Sequence, residues 1–417
     1  MTLGGGRIWI TVLAFAVLIR LVAAPFTGHP YDLAIWMATG KYVASGGSPY
    51  DLHPSIGYPP LWALWCGLSY AASNFISPGN FFAYIFAIKL PILLGDFAVA
   101  LMLVEADSRW SSRNQPLIGR KLAVLYLLNP YVLVVGVVWG MMDNLVAVCV
   151  VASMLALYLS KPGWSGILLA SAFAFKLYPI MFLPLMAAFL IRRRQLKNIM
   201  TYAFGFLAAS FLTISLPFIV FGWDAAGLLR VAISQVAFRN PAAIAPMAVF
   251  PYLVDLGITK LGPVSIENFY RDPLLHAVWI PALCICLIVI LRRRMFSSSL
   301  GTMVHEYALV YMVYLLFAPS VSEQLFELVL IFMLFSGAFA GMKRSIYVSY
   351  VIGSIIVFAV LSLHVPITSF LFPVYQIDRA PLVRLGGPLL PWLVLVFAFY
   401  LIVQIAKVGT VLRSARD

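Results

Sequence analysis

Few side chains in this sequence could do chemistry, and most of them stand where an ionised group is expensive. Asp32 follows the first apolar run, in Gly28-His29-Pro30-Tyr31-Asp32, with His29 close by. A carboxylate there can serve as a general base that takes a proton from a hydroxyl. Asp51 closes Gly46-Gly47-Ser48-Pro49-Tyr50-Asp51, a stretch with the composition of a turn. Asp143 and Asn144 sit in a short polar break, Trp139-Gly140-Met141-Met142-Asp143-Asn144, where either residue type could also cap a helix. Lys176 lies between two apolar runs, beside Tyr178 and Pro179. A lysine inside a membrane must be paired or hydrated. It is therefore either the partner of a buried carboxylate or a fixed cation for an anionic group such as a lipid phosphate. Lys89 and Asp96 share one apolar run and read as a structural pair. Arg230 and Arg239 fall in a helical stretch with apolar neighbours, the pattern of a helix lying in the membrane interface. Glu323 and Gln324 occupy a short connection between two apolar runs.

The elements that must position these residues are helices in lipid. Of 417 residues, 63% are hydrophobic and only 10% charged, against about 25% charged in an ordinary soluble domain. Mean hydropathy is +0.98. This predicts an all-α polytopic membrane protein and excludes a soluble enzyme on a single anchor. Apolar runs lie at 8–26, 58–77, 82–104, 122–138, 144–160, 164–191, 198–221, 274–291, 303–318, 324–341, 346–363 and 388–408. The first of them reads as a span rather than a removable signal. All four cysteines (Cys66, Cys149, Cys284 and Cys286) lie inside apolar runs without metal-ligand spacing and read as packing residues. Residues 1–417 read as a single transmembrane domain, with no separate soluble unit.

The net charge of +13 does not imply a nucleic-acid partner. Arg192–Arg194, Arg292–Arg294, Lys343–Arg344 and Arg413/Arg416 each follow or precede an apolar run, as cytoplasmic anchors do. Placing these clusters inside puts 222–273, 319–323 and 364–387 outside. If every run crossed, the basic stretch 105–121 would also fall outside. The preferred reading keeps it inside and requires two runs that do not cross. One is 58–77, and the other is 164–191, broken at Phe175-Lys176-Leu177-Tyr178-Pro179. Asp143 and Lys176 then share the outer side. Nucleotide-binding loops, zincin helices and nucleophile elbows have no match in the sequence.

Taken in order, these pieces resemble the GT-C superfamily of membrane glycosyltransferases, especially the catalytic subunit of GPI mannosyltransferase I and its polyprenyl-phosphate-mannose-dependent relatives. The likeness rests on the acid after the first span, Ser48-Pro49-Tyr50, Tyr58-Pro59-Pro60-Leu61 and Leu127-Leu128-Asn129-Pro130. It continues through Gly140–Asp143, Lys176-Leu177-Tyr178-Pro179 and Ser322–Gln324. It implies a GT-C-like bundle of roughly 10–13 transmembrane helices, with extracytoplasmic loops and interfacial or half-spanning helices. Residues 1–221 would be the catalytic module, 222–273 an extracytoplasmic loop with an interfacial helix, and 274–417 the C-terminal helices. It also implies a polyprenyl-phosphate sugar donor arriving through membrane lipid and a glycolipid or lipid-linked glycan acceptor. Chemistry would occur on the extracytoplasmic face of the cell membrane, or of the ER membrane in a eukaryote. Asp32 would be the catalytic base. Lys176, with Arg239 or Arg230, would bind the donor phosphate. Asp143, Asn144, Tyr178, Glu323, Gln324, Asp51 and His29 would contact sugar or acceptor. The family commonly carries Asp-x-Asp where this chain has Pro30-Tyr31-Asp32. No cofactor is required by this reading, and the missing first acid leaves a divalent cation without support. A secondary transporter or lipid-linked-sugar flippase would bury similar charges, and a non-catalytic scaffold subunit would need no convergence of Asp32, Asp143 and Lys176.

Overall fold

The structure is a computed structural model that describes residues 3–52, 57–110, 118–192, 196–230, 277–292, 299–318, 321–340, 343–364, 370 and 389–414. Its regular elements are all helical, with no strand among the described residues. In chain order they are α1 (Leu3–Ala23), α2 (Pro30–Ala44), α3 (Pro60–Ile76), α4 (Phe81–Trp110) and α5 (Ile118–Leu127). Then come α6 (Pro130–Trp139), α7 (Asp143–Tyr158), α8 (Pro162–Phe175), α9 (Leu183–Arg192) and α10 (Leu196–Phe221). The series closes with α11 (Trp279–Arg292), α12 (Leu300–Phe317), α13 (Glu327–Ala340), α14 (Arg344–His364) and α15 (Leu390–Ser414). Among the described residues, six helices are long and apolar enough to cross a membrane. A seventh span results if α5 and α6, bent by 48° at their break, count as one, and four shorter apolar helices accompany them. The chain is an all-α, multi-pass membrane protein. Apolar side chains on α1 and α10 such as Leu18, Phe204 and Leu207 are exposed and face lipid, whereas α12 and α13 supply much of the buried core.

Polar contacts fix the direction of each helix. Arg20 on α1 reaches Asp96 on α4, and Lys89 on α4 reaches Thr27 just past α1. Later residues of one helix thus meet earlier residues of the other, so the two run antiparallel. On α5, the Gly119 N–H donates to Asp107 and Tyr126 donates to Asp96, which turns the chain back along α4. Asn129 caps α6 through the Tyr131 N–H and donates its amide to Tyr350 and Ser354 on α14. The Leu-Leu-Asn-Pro motif is therefore a helix start locked to a distant helix. Pro130 fits there because the first turn has no use for its missing N–H.

One end of the bundle, here the acidic end, carries Asp32, Trp139, Asp143, Lys176 and Glu323. Arg109, Arg120, Lys121, Lys161, Lys343 and Lys407 gather at the other, basic end. Residues 105–110 and 118–121 thus stand opposite Asp32. α3 packs parallel to α2, with Trp36 on Trp62 and Gly40 against Cys66, and antiparallel to α4, with Tyr70 near Tyr84. It therefore finishes where α4 begins, at the acidic end. α8 rises from Lys161 to the break at Lys176, and α9 returns, its Met186 meeting Ser153 and Ser165. The run 164–191 is thus two short antiparallel helices around the break at Lys176.

α8 and α10 cross at backbone contact. A Cβ on Gly166 would meet Tyr202 O, and one on Gly205 would meet Gly163 O. Gly301, also helical, has only ordinary contact with Phe339 at 3.9 Å. Gly166→Val or Gly205→Val should each destabilise the protein by about 1–3 kcal/mol through overpacking. Gly301→Ala should be neutral or stabilise by up to ~1 kcal/mol, because alanine favours helix over glycine. Melting in detergent, followed by intrinsic fluorescence, distinguishes these opposite signs.

Candidate functional site

The acidic end is built around the start of α2. α1 stops at Ala23, a 3₁₀ turn over Ala24–Phe26 follows, and His29 is extended and caps α2. Asp32 is the third residue of α2, where the helix dipole favours a carboxylate. Its Oδ2 accepts the Trp139 Nε1–H at 2.7 Å and lies 2.9 Å from His29 Nδ1. The Asp32 N–H is 3.4 Å from the same His29 nitrogen. Unprotonated, Nδ1 accepts the Asp32 N–H as the helix cap; protonated, it pairs with the carboxylate. Oδ1 of Asp32 has no partner among the described residues. His29, Trp139 and Phe370 enclose this carboxylate, with ring centroids 5.2 to 5.8 Å apart. The Gly28 N–H donates to Phe370 O at 2.8 Å. The Asp32 and His29 side chains remain 19% and 16% exposed, so the pair can meet a substrate.

Trp139 reaches Asp32 because α6 ends abruptly. Its last turns are π-wound over Leu133–Trp139, and Gly140 then takes φ +96°, which suits glycine. Beneath it, Lys89 Nζ donates to Thr27 O and Val137 O at 2.7 Å each, and to Val138 O at 3.1 Å. The lysine satisfies carbonyls at the ends of α6 and of the segment leaving α1, the two pieces that carry Trp139 and Asp32. The expected Lys89–Asp96 pairing is corrected. Seven helical residues rise about 10.5 Å, too far for contact, and Asp96 is instead taken by Arg20 at 2.9 Å.

Four residues beyond Trp139, Asp143 opens α7. It is fully buried, and its Oδ2 is 2.7 Å from Lys176 Nζ. Tyr178 Oη is 3.5 Å from its other oxygen, and the Lys176 ammonium sits 5.6 Å from the Tyr58 ring centre. Lys176 is the extended residue that ends α8 before the 3₁₀ turn Tyr178–Phe182. The capping alternative for Asp143–Asn144 is not what forms, since Met142 precedes α7 and no side chain caps it. Asn144 turns to Ile92 O at 2.6 Å and Asp96 at 2.8 Å. Successive helical residues point about 100° apart, which is why these neighbours serve different partners.

The remaining expected residues fall around this centre without joining it. Tyr131 donates to Glu323 O, and both Glu323 and Gln324 are buried. Gln324 Oε1 has no hydrogen-bond partner among the described residues. Asp51 is exposed on a turn closed by its N–H to Ser48 O. Tyr50 stacks on Phe218 and donates to Tyr58 O, and burial pushes its phenol above the ordinary range. Arg230 is exposed and paired with Asp224 at 3.0 Å. Arg239, like most of the interval 222–273, lies outside the described residues. Among the described residues, no three His, Cys, Asp or Glu side chains form a metal-ligand group. Trp139, Phe370 and the true partners of Lys89 were missed from sequence. Trp139 had a usable signal, an indole beside a glycine and an acid, while Phe370 had none.

Two comparisons bear on this arrangement. Residues 42–227 match the family described as GPI transamidase subunit PIG-U. A GPI mannosyltransferase 1 from Aspergillus oryzae is 27% identical over 198 residues, covering 44% of this chain and 45% of that protein. The chain thus matches about half the length of this curated relative. Both findings agree with the resemblance to GT-C-type membrane glycosyltransferases. The family match contains Lys89, Trp139, Asp143 and Lys176 and begins after Asp32.

The geometry makes Lys176 and Asp143 a buried pair whatever else they contact. Lys176→Met leaves the fully buried Asp143 without its ammonium and should lower stability by about 3–5 kcal/mol. Adding Asp143→Leu should recover most of that loss, because an apolar pair of similar volume replaces an ionic one at little net cost. Thermal melts of the single and double variants in one detergent read this directly. Additive losses would show that the two side chains do not depend on each other.

Proposed function

We propose that this protein is a glycosyltransferase that moves a sugar, most simply mannose, from a polyprenyl-phosphate donor to a glycolipid or lipid-linked glycan. The carrying observation is the Asp32 carboxylate. Trp139 and His29 hold one oxygen, the other faces no protein partner among the described residues, and the group stays open at one end of a membrane bundle. In this reading Asp32 Oδ1 takes the proton of the acceptor hydroxyl as that oxygen attacks the anomeric carbon. The bond to the lipid phosphate breaks on the opposite face, which inverts the centre. The leaving phosphate gains charge that needs fixed cations in a partly dry cavity. Lys176 suits this task while paired: Asp143 takes one of its three N–H donors and leaves two. Arg230 or Arg239 would add charge from the loop side. Tyr178, Asp143, Glu323, Gln324, Asp51 and His29 are proposed contacts for sugar or acceptor. Asn144, committed to Asp96 and Ile92 O, suits the supporting frame better. The basic clusters support a cytoplasmic opposite end, and on this reading the reaction faces outward.

A second reading has a specific observation in its favour. The matched family is described as a transamidase subunit, and its match lacks Asp32. Under it the chain would be a non-catalytic subunit whose buried pairs serve only to hold the bundle.

The two separate in one assay. Purified protein is given radiolabelled polyprenyl-phosphate mannose and a lipid acceptor extract, and labelled product is counted. The first reading expects transfer by the native protein and a fall of ~10²–10⁴-fold in Asp32→Asn, with an unchanged melting temperature. Equal transfer by a folded Asp32→Asn protein removes Asp32 from the chemistry. No transfer by either protein favours the subunit reading.

A further inference from the structure

The C-terminal helices enclose a second cavity, of about 320 Å³, far from Asp32. It lies among α12, α13, α14 and α15, at the basic end. Its lining is graded by depth. Met312, Val329, Phe332 and Met333 form an apolar floor toward mid-bundle, while Lys343, Ser345, Ser349, Gln404 and Lys407 lie near the basic end. Among the described residues, none of the lining side chains is acidic. Val411, 44% exposed, forms part of the wall toward lipid.

The polar groups here are unequally satisfied. His305 Nδ1 is 2.7 Å from Gly301 O, so that nitrogen carries the proton, and Nε2 accepts from Ser336 at 2.9 Å. Lys407 gives one N–H to Ser349 at 3.0 Å and keeps two. Gln404 is only 6% exposed, lines the cavity, and has no side-chain hydrogen bond to any described residue. Its amide faces the cavity it lines, where a ligand or water can meet it. The N-terminus of α14, 21 residues long, adds the positive end of its dipole at Ser345 and Ile346.

We propose that this cavity binds one anionic glycerophospholipid from the leaflet at the basic end. The headgroup phosphate lies between Lys343 and Lys407 and accepts from the Gln404 amide, and one acyl chain lies along the Phe332–Met333 floor. Two lysines with no acid among the described lining residues favour a net-negative headgroup over a zwitterionic one. A deep apolar floor favours a lipid over a soluble anion. The site is separate from Asp32 and stands whether or not the chain transfers sugar.

Native mass spectrometry of the full-length protein, delipidated in detergent, tests this with dioleoyl-phosphatidylglycerol and dioleoyl-phosphatidylcholine at equal concentration. One phosphatidylglycerol per chain should be retained, preferred roughly thirtyfold, given about fivefold per lysine near a membrane surface. Lys343→Gln with Lys407→Gln should abolish that preference, and Lys161→Gln, another exposed lysine at this end, should keep it. Met333→Trp, which fills the floor, should weaken both lipids and leave their ratio unchanged. Equal retention of the two lipids would overturn the proposal, as would a preference that survives the double substitution. Displacement of the lipid by millimolar inorganic phosphate would mark a soluble-anion site instead and would equally overturn it.

Discussion

A buried ion pair between Arg20 and Asp96 is the contact on which the first half of the molecule depends. Both side chains are fully buried and 2.9 Å apart, Arg20 in the last turn of α1 and Asp96 midway along α4. Neither could stay ionised there alone. Arg20 also donates to Ala16 O at 3.2 Å and Leu127 O at 3.0 Å. Asp96 also accepts from Tyr126 at 3.1 Å and Asn144 at 2.8 Å. Tyr126 in turn donates to Glu327 on α13 at 2.9 Å. Five helices from both halves of the sequence thus meet through one connected set of polar groups. Packing alone would let two greasy helices slide, because lipid is as apolar as the core. The polar set removes that freedom.

The register set at Arg20 and Asp96 decides what happens one and a half to two turns further on. Lys89 then stands level with Thr27, within reach of both the segment leaving α1 and the end of α6. Its ammonium gathers their carbonyls, and this brings the indole of Trp139 onto Asp32. Gly140, left-handed and pressed against the Lys89 chain, lets α6 stop there and lets Asp143 begin α7 within reach of Lys176. The candidate site is therefore the outer surface of a buried scaffold of charges. Its own acid, Asp32, is the member left partly open.

The apolar runs alone made the helices readable, and the run 164–191 was divided at the residue where the chain does break. Pro179 and an isolated lysine both oppose a continuous helix there. Asp32, Asp143 and Lys176 stood out because ionised groups are rare in such a chain. What the sequence could not convey was partnership. Lys89 and Asp96 share a helix face, which invites pairing, yet Asp96 is taken by Arg20 on α1 and Lys89 by carbonyls of Thr27 and α6. Arg20 went unremarked inside a strongly apolar first run, although an arginine at that depth is itself the signal of a buried partner. Asp143 and Asn144 looked like a cap because the local pattern is that of a cap. Their three-dimensional neighbours, Lys176 and Asp96, outcompete that role.

The account rests on α1 and α4 being clasped antiparallel, which sends Asp32 and Arg109 to opposite ends of the bundle. Sidedness is the direct measure. In a protein with Cys66, Cys149, Cys284 and Cys286 replaced, single cysteines at Tyr31 and Arg109, both exposed, are treated in intact cells or sealed vesicles with a membrane-impermeant thiol reagent. The account predicts labelling at position 31 from the extracytoplasmic side, and labelling at position 109 only after the membrane is opened. Labelling of both positions from the same side would contradict it.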